Sequence, residues 1–426
     1  MPDIEARGPL SRPLRNRNFR LFWLGQGISL LGNAMYRVTL AWSVYRLTGS
    51  TADMGLTLAA NIIPMLALSL YGGVLADRLS RRTVLLACDC AAAIVTGALA
   101  YLTLAGRSSV AFLVAASFAL GVVSAFFGPA HNPLLRNILP TGDQQAAAAI
   151  FTATNSIVTI TGPLLASLIF ALWSPAGGFA VDAATFVFSV LCTLSLSITP
   201  EKVRYSGTAA SEVRDGLTVV LRTTWLRITI LLSVIANLVC VGPLYVLLPE
   251  VILKAGGNGQ LLGVVTAVQA GATTVFALLA GKYAHRAPRG VTVYGLVITT
   301  GAGVALLGAG SHRYWMILAS MAVIGLGFAF NVIETAMIQE LIPQRYLARV
   351  YSVNVVASFA LAPIGYAGSG ALANLVGFEP VLIGGGLILA GCALASALAT
   401  RWRLTGEVAV PVVDQRTAAV REVARL

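Results

Sequence analysis

Charge is what this sequence lacks. Only 11% of its 426 residues are Asp, Glu, Lys or Arg, against roughly a quarter in soluble domains. Histidine is nearly absent. His131, His285 and His312 are the three present, and they are scattered, so no cluster of catalytic groups forms at one depth and an enzyme is not expected. The five cysteines, Cys88, Cys90, Cys192, Cys240 and Cys392, all lie in apolar stretches, where a thiol serves as a small packing residue. Cys88 and Cys90 have one residue between them and no histidine nearby, so no metal site is expected. No glycine-rich loop ends in lysine and a hydroxyl residue, which argues against ATP hydrolysis and against a bound cofactor. No loop is long enough to hold a soluble sensor domain. The first twenty residues are polar and arginine-rich, so no cleavable signal is expected.

What the chain has instead is apolar length. Hydrophobic residues make up 57% of it. Runs such as Ser109–Ala130 and Val291–Gly310 approach the ~20 residues that cross a bilayer as a helix. They do not alternate in polarity, which excludes a membrane β-barrel. Twelve spans are predicted, at 19–45, 52–76, 83–105, 109–131, 146–173, 176–198, 225–250, 259–282, 291–310, 314–335, 347–374 and 378–400. The expected class is an all-α membrane protein of two six-helix halves. Residues 1–18 form an N-terminal segment, 19–198 and 225–402 the halves, 199–224 a linker and 403–426 a tail. In the linker, Glu212 to Arg222 has the apolar spacing of an amphipathic surface helix.

Lys and Arg outside the spans gather on one face. It carries Arg7, Arg12, Arg15, Arg17, Arg20, the 78–82 loop, Arg136, the linker, Arg286, Arg289, Arg345, Arg349 and the tail. The other face has Arg46, Arg107, Lys254 and Arg313. The positive-inside bias makes the basic face cytoplasmic and puts both termini there. The formal charge of +12 follows from that bias and from anionic headgroups, so the lipid bilayer is the expected partner and nucleic acid is not. Arginine far outnumbers lysine and alanine is abundant, as in a GC-rich bacterial genome. A bacterial inner membrane is the expected location.

Two hairpins mark a repeat. After the second span stands Gly72-Gly73-Val74-Leu75-Ala76-Asp77-Arg78-Leu79-Ser80-Arg81-Arg82. About two hundred residues later, after the eighth, stands Gly281-Lys282-Tyr283-Ala284-His285-Arg286-Ala287-Pro288-Arg289-Gly290. Leu139-Pro140 and Ile342-Pro343 repeat in the same way. Parallel six-helix repeats around a central site are a transporter architecture. The second hairpin has His285 where the first has its aspartate, so a gate built on the pair would be asymmetric.

These residues resemble the major facilitator superfamily. Gly73, Asp77, Arg78, Arg81 and Arg82 match its loop signature, with Ser80 where glycine is usual. Arg17-Asn18-Phe19-Arg20, Gly25-Gln26, Ser29 to Asn33, Leu47 to Ser50, Asp182 to Phe186, Phe330-Asn331-Val332 and Ala348 to Ser352 look like its drug and siderophore exporter branch. The resemblance implies alternating access and export of a hydrophobic or amphipathic small molecule, coupled to protons, by a monomer. It also implies that Asp77 meets the start of span eleven, near Arg345–Tyr351, and so closes the cytoplasmic side. Arg136 and Arg349 would lie beside that gate. Gly162-Pro163 and Pro363 would flex spans five and eleven. Departures are present. Asn33 stands where many relatives carry aspartate, and Ala92 where arginine is common. Ala166-Ser167 replaces the two glycines of the antiporter motif, which leaves uptake or facilitated exchange of a metabolite open.

Ionisable groups inside spans are costly and usually face the bundle interior. Arg37 and Asp182 match in depth at ~1.5 Å per residue. Either they pair, or Asp182 carries a proton. Asp89 is expected to partner the hairpin arginines or Arg136. His131 and Glu334 occupy equivalent repeat positions at the cytoplasmic ends of spans four and ten. They either titrate as access changes or sit in headgroup water. Gln26, Asn33, Asn237 and Asn331 either line the cavity or bond neighbouring helices.

Overall fold

The computed structural model describes residues 11–78, 80–197, 209–283 and 288–402. The first six helices are α1 (Arg17–Thr48), α2 (Thr51–Arg78), α3 (Arg81–Leu104), α4 (Val110–Ile138), α5 (Gln144–Leu172) and α6 (Pro175–Leu194). Their starts are written in the sequence. Asn16 accepts the Phe19 N–H at 3.2 Å to open α1, and Gly49, at φ 63°, closes it. Ser80 accepts the Thr83 N–H at 3.1 Å and so begins α3. The serine that departs from the loop signature is thus an N-cap.

A linker helix, α7 (Ala209–Arg222), precedes the second set. Span seven is α8 (Thr224–Ala236), a π turn at Asn237–Val241, and α9 (Gly242–Lys254). Span eight is α10 (Gly259–Tyr283) and span nine α11 (Arg289–Ala309). Span ten is split at Ala329 into α12 (Tyr314–Phe328) and α13 (Phe330–Leu341). Span eleven is split into α14 (Gln344–Phe359) and α15 (Ala362–Val376), and α16 (Phe378–Ala399) is span twelve. Residues 199–208 of the linker, Leu79, and 284–287 with His285 lie outside the described residues, as do 1–10 and 403–426.

Eleven of the predicted spans are long and apolar enough to cross a membrane. The twelfth is α1, which at 32 residues exceeds the ~20 required. Its four arginines lower its apolar character, yet it lies against α5 and α6 inside the bundle. The interruptions in spans seven, ten and eleven depart from the continuous helices expected. Pro243 and Pro363 open α9 and α15; proline has no N–H to donate to the preceding turn. Asn237, in the π turn, donates its side-chain amide to the Ser233 carbonyl at 2.9 Å and, across to span eleven, to the Ser358 carbonyl at 3.2 Å.

Contacts between the two sets of helices concentrate at the end away from the N-terminus. There the start of α2 meets α15, and the end of α5 meets the start of α10. Thr51 donates to the Gly370 carbonyl at 3.0 Å and shares a 2.8 Å bond with Asn374. Ser167 donates to the Gln260 carbonyl at 2.8 Å. Glycine makes both contacts possible. A Cβ on Gly370 would lie 2.2 Å from the Thr51 carbonyl oxygen, and one on Gly263 would lie 1.9 Å from Ser167 Oγ. Ser167, one of the two antiporter-motif departures, therefore belongs to a seam between the halves, and Ala166 beside it is buried. At the opposite, basic end, α7 lies along α14, with Gly216 against the Arg349 carbonyl. Val219 and Val220 of α7 are buried while Leu217 and Leu221 are exposed, an apolar edge suited to lipid.

Gly263→Val is expected to force the seam apart. Overpacking costs about 1–3 kcal/mol, enough to lower the closed population several-fold. Spin labels at Leu172 and Asn258 should then report a longer-distance population; an unchanged distance distribution would count against the seam.

Candidate functional site

Among the described residues three carboxylates are buried inside spans, each in a different setting. Asp182 lies in the second turn of α6 and is 0% exposed. It faces α1 where Gly32 leaves room: a Cβ there would stand 2.5 Å from Asp182 Oδ1. Neither carboxylate oxygen has a hydrogen-bond partner. Thr185 stands beside it, but its hydroxyl donates to the Asp182 backbone carbonyl at 2.7 Å. Tyr36, one turn along α1, turns toward α6 as well, its ring 5.8 Å from that of Phe179.

Arg37 does not pair with Asp182. It is exposed and stands within electrostatic reach of Tyr245 on α9 and Tyr366 on α15. Successive residues of a helix point ~100° apart, so Tyr36 faces α6 while Arg37 faces the other half. Equal depth did not mean equal azimuth.

Asp89 has a described partner on α6, while the side chains of Arg78 and Arg136, two of its expected partners, lie outside what the structure describes. Asp89 is 1% exposed and accepts a 2.7 Å bond from Ser189 of α6. The Ser189 oxygen in turn accepts the Gln26 amide at 3.0 Å. One chain of hydrogen bonds thus ties α1, α6 and α3 together. Arg82 turns instead to the end of α6, donating to the Thr193 carbonyl at 3.0 Å and the Leu194 carbonyl at 2.6 Å. A cation there also suits the negative end of the helix dipole.

Glu334 is 4% exposed, beside Thr229 of α8 and Asn354 of α14, and its Oε1 has no partner. Headgroup water is therefore not its setting. His131, at the equivalent place in α4, is half-buried among Phe22, Phe127 and Phe151, with ring centroids 5.0, 5.3 and 5.5 Å away. The repeat gives the two residues the same address and different neighbours.

The other candidates divide. Gln26 and Asn237 bond neighbouring helices. Asn33 is half-buried on α1, and Asn331 is exposed at the start of α13, donating back across the break to the Phe328 carbonyl at the end of α12 at 3.2 Å. Gly162 is set against Ala34 of α1, and the Pro163 carbonyl faces Gly263 across the seam. Pro363 sits at the break in span eleven. Arg81 begins α3 and Arg349 lies on α14 under the linker helix. Gly73, Asp77 and Arg78 fall in the last turns of α2 and Arg136 near the end of α4; their side chains lie outside what the structure describes. Among the described residues no group of His, Cys, Asp and Glu is placed to hold a metal. Ser189, Tyr245, Gln269 and Tyr366 were not singled out from sequence. A polar side chain deep within an apolar run was the available signal.

The fold belongs to a known class. The sequence profile of the Major Facilitator Superfamily matches residues 22–366 and 230–422, and the chain belongs to that superfamily: it is a multi-pass membrane transporter, not an enzyme. Its relatives include macrolide efflux protein A of Streptococcus pyogenes, 22% identical over 87% of this chain and 93% of the relative. The multidrug efflux pump Tap of Mycolicibacterium fortuitum is 25% identical over 83% and 88%. These names agree with the resemblance to drug exporters. Among solved structures, a D-xylose–proton symporter superposes with a TM-score of 0.71 at 14% identity, covering 92% of this chain and 99% of that one. A bacterial homologue of the lysosomal transporter Spinster, in an inward-facing and unoccupied conformation, gives 0.68 at 15%, covering 92% and 98%.

Ser189→Ala should leave the Gln26 amide and an Asp89 oxygen without partners. The expected loss is about 1–3 kcal/mol, read as a lower unfolding temperature of the purified protein. An unchanged temperature would remove the network from the account of stability.

Proposed function

We propose that this chain is a proton-coupled exporter of hydrophobic or amphipathic small molecules such as drugs, working by alternating access. It stands in the bacterial inner membrane with the basic end and both termini in the cytoplasm. The observation that carries the proposal is Asp182. A charge buried without a partner is expensive, so the proton occupancy of this carboxylate is linked to its access to water. It lies between α1 and α6, the tightest kind of place for a group that must gain and lose water as the halves rock. Such a group can be loaded from one side and unloaded to the other.

The seam at the end away from the N-terminus supports a cycle in which that end is closed while the basic end receives substrate. Opening it requires a replacement contact at the basic end. The Asp77 hairpin and the start of α14 are the natural pair, since a helix N-terminus favours a carboxylate. Asp182 serves coupling in this scheme and Asp77 serves the gate. The efflux names of the relatives favour export over uptake. The whole chain, as a monomer, is the functional unit proposed.

Proteoliposomes with an imposed pH gradient test the coupling. The wild type should accumulate a dye such as ethidium when the gradient favours proton–dye exchange. Asp182→Asn should reduce gradient-driven accumulation to the level seen without a gradient while downhill dye movement continues. Full gradient-driven accumulation by that variant would exclude Asp182 as the carrier. Accumulation under the reverse gradient would instead indicate uptake. Asp77→Asn should slow transport roughly tenfold, as loss of ~1–2 kcal/mol from a helix-end contact implies, with normal insertion. Wild-type rates at equal protein level would remove Asp77 from the gate.

A further inference from the structure

Three buried side chains share a chain of hydrogen bonds that is one proton short. Gln26 of α1, Ser189 of α6 and Asp89 of α3 are 1%, 0% and 1% exposed. The Gln26 amide donates to the Ser189 oxygen at 3.0 Å, and the Ser189 hydroxyl donates to Asp89 Oδ2 at 2.7 Å. Two oxygens are left over. Gln26 Oε1 and Asp89 Oδ1 are buried and have no partner among the described residues. With the acid ionised, both can only accept. A buried acceptor left unanswered costs its full desolvation.

The shortage does not depend on which way the amide is turned. A serine hydroxyl has one proton. With the amide nitrogen toward Ser189, that proton serves Asp89, and Gln26 Oε1 has no donor because an amide cannot reach its own oxygen. With the amide turned over, the same proton would have to serve both Gln26 Oε1 and Asp89. A protonated carboxyl completes either arrangement. Its O–H answers Gln26 Oε1 in the first and the serine oxygen in the second.

The surroundings hold no counter-charge for an ionised acid. α1 and α6 touch beside the chain, since a Cβ on Gly25 would lie 2.8 Å from Cys192 Cβ and 3.4 Å from Ser189 Cα. Next to Asp89, the Cys88 thiol donates to the Val123 carbonyl of α4 at 3.7 Å. On α6 the ionisable groups are Cys192 and Asp182, the latter ~10 Å along the helix from Ser189. On α1 Arg20 and Arg37 lie ~9 Å and ~16 Å along from Gln26. Arg82 of α3 bonds the Thr193 and Leu194 carbonyls, and His131 of α4 stands among phenylalanines. No ion pair among the described residues includes Asp89. A lone charge at such burial is expensive, and a neutral acid that donates is not.

We propose that Asp89 is a proton-binding site separate from Asp182. It holds one proton as a neutral carboxylic acid, and that proton closes a ring of three hydrogen bonds joining α1, α3 and α6. The ring keeps it, whereas Asp182 has no partner to hold a proton in place. This goes beyond the coupling reading and does not depend on it.

Infrared spectra of the full chain in nanodiscs at neutral pH test the assignment. The difference between wild type and Asp89→Asn should show the loss of one protonated-carboxyl C=O band, and that band should move down in D2O. Loss of an ionised-carboxylate band instead would overturn the proposal. Asparagine offers an N–H where the acid has its O–H, so Asp89→Asn should unfold within about 2 °C of wild type. Asp89→Leu, which removes both bonds, should unfold about 5 °C lower. An asparagine variant as unstable as the leucine variant would also overturn it. If Asp89→Asn does not accumulate, the band is sought in Asp182→Asn protein made with carboxyl-13C aspartate, where its isotope shift supports the proposal and its absence refutes it. None of these readouts uses transport, so the ring and the exporter reading stand or fall separately.

Discussion

Lipid gives helices no hydrophobic reason to adhere, because the tails are as apolar as the side chains. What joins the two halves of this protein must therefore be close packing and a few hydrogen bonds. The seam meets that constraint with glycine. Gly370 and Gly263 allow one helix to rest on the carbonyls and hydroxyls of another, while Thr51 and Ser167 each add hydrogen bonds across the contact. A contact of this kind is short-ranged and rests on small residues where the backbones meet. It can separate without unpacking a core, which a transporter must do in every cycle.

The same constraint sorts the polar residues. Asp89 is tied into a three-helix network and reads as structure. Asp182 is buried with nothing to accept from and suits a changing proton. Arg37, its neighbour in depth, faces the other half. Adjacent positions on α1 thus face different ways: Tyr36 packs against α6 and Arg37 is exposed.

The architecture was largely legible in the sequence because its signals are long-range and redundant. Apolar runs, basic loops and the repeated hairpin all point to the same bundle, and α1 remains a span despite its arginines. Residue partnerships were less legible. Arg37 and Asp182 matched in depth, but azimuth depends on how α1 is rotated against α6, which depth does not reveal. Asp89 invites an arginine on charge alone; its described partner is Ser189, a neutral hydroxyl within an apolar run. The equivalence of His131 and Glu334 held for position and failed for environment, since phenylalanines surround one and Thr229 and Asn354 the other. The interruptions in spans seven, ten and eleven were invisible to hydropathy, though Pro243 and Pro363 marked two of them.

The π turn at Asn237–Val241 has a consequence for how span seven can behave. A π turn holds one residue more than an α turn, and one residue corresponds to about 100° of rotation on a helix. The segments on either side of it are therefore out of phase with each other. Asn237 holds that phase difference in place by bonding across to span eleven beside its own break. Span seven is thus less a single rod than two rods joined by a phase shifter, and moving the surplus residue by one turn would turn a different face of α9 toward Tyr366 without breaking the span.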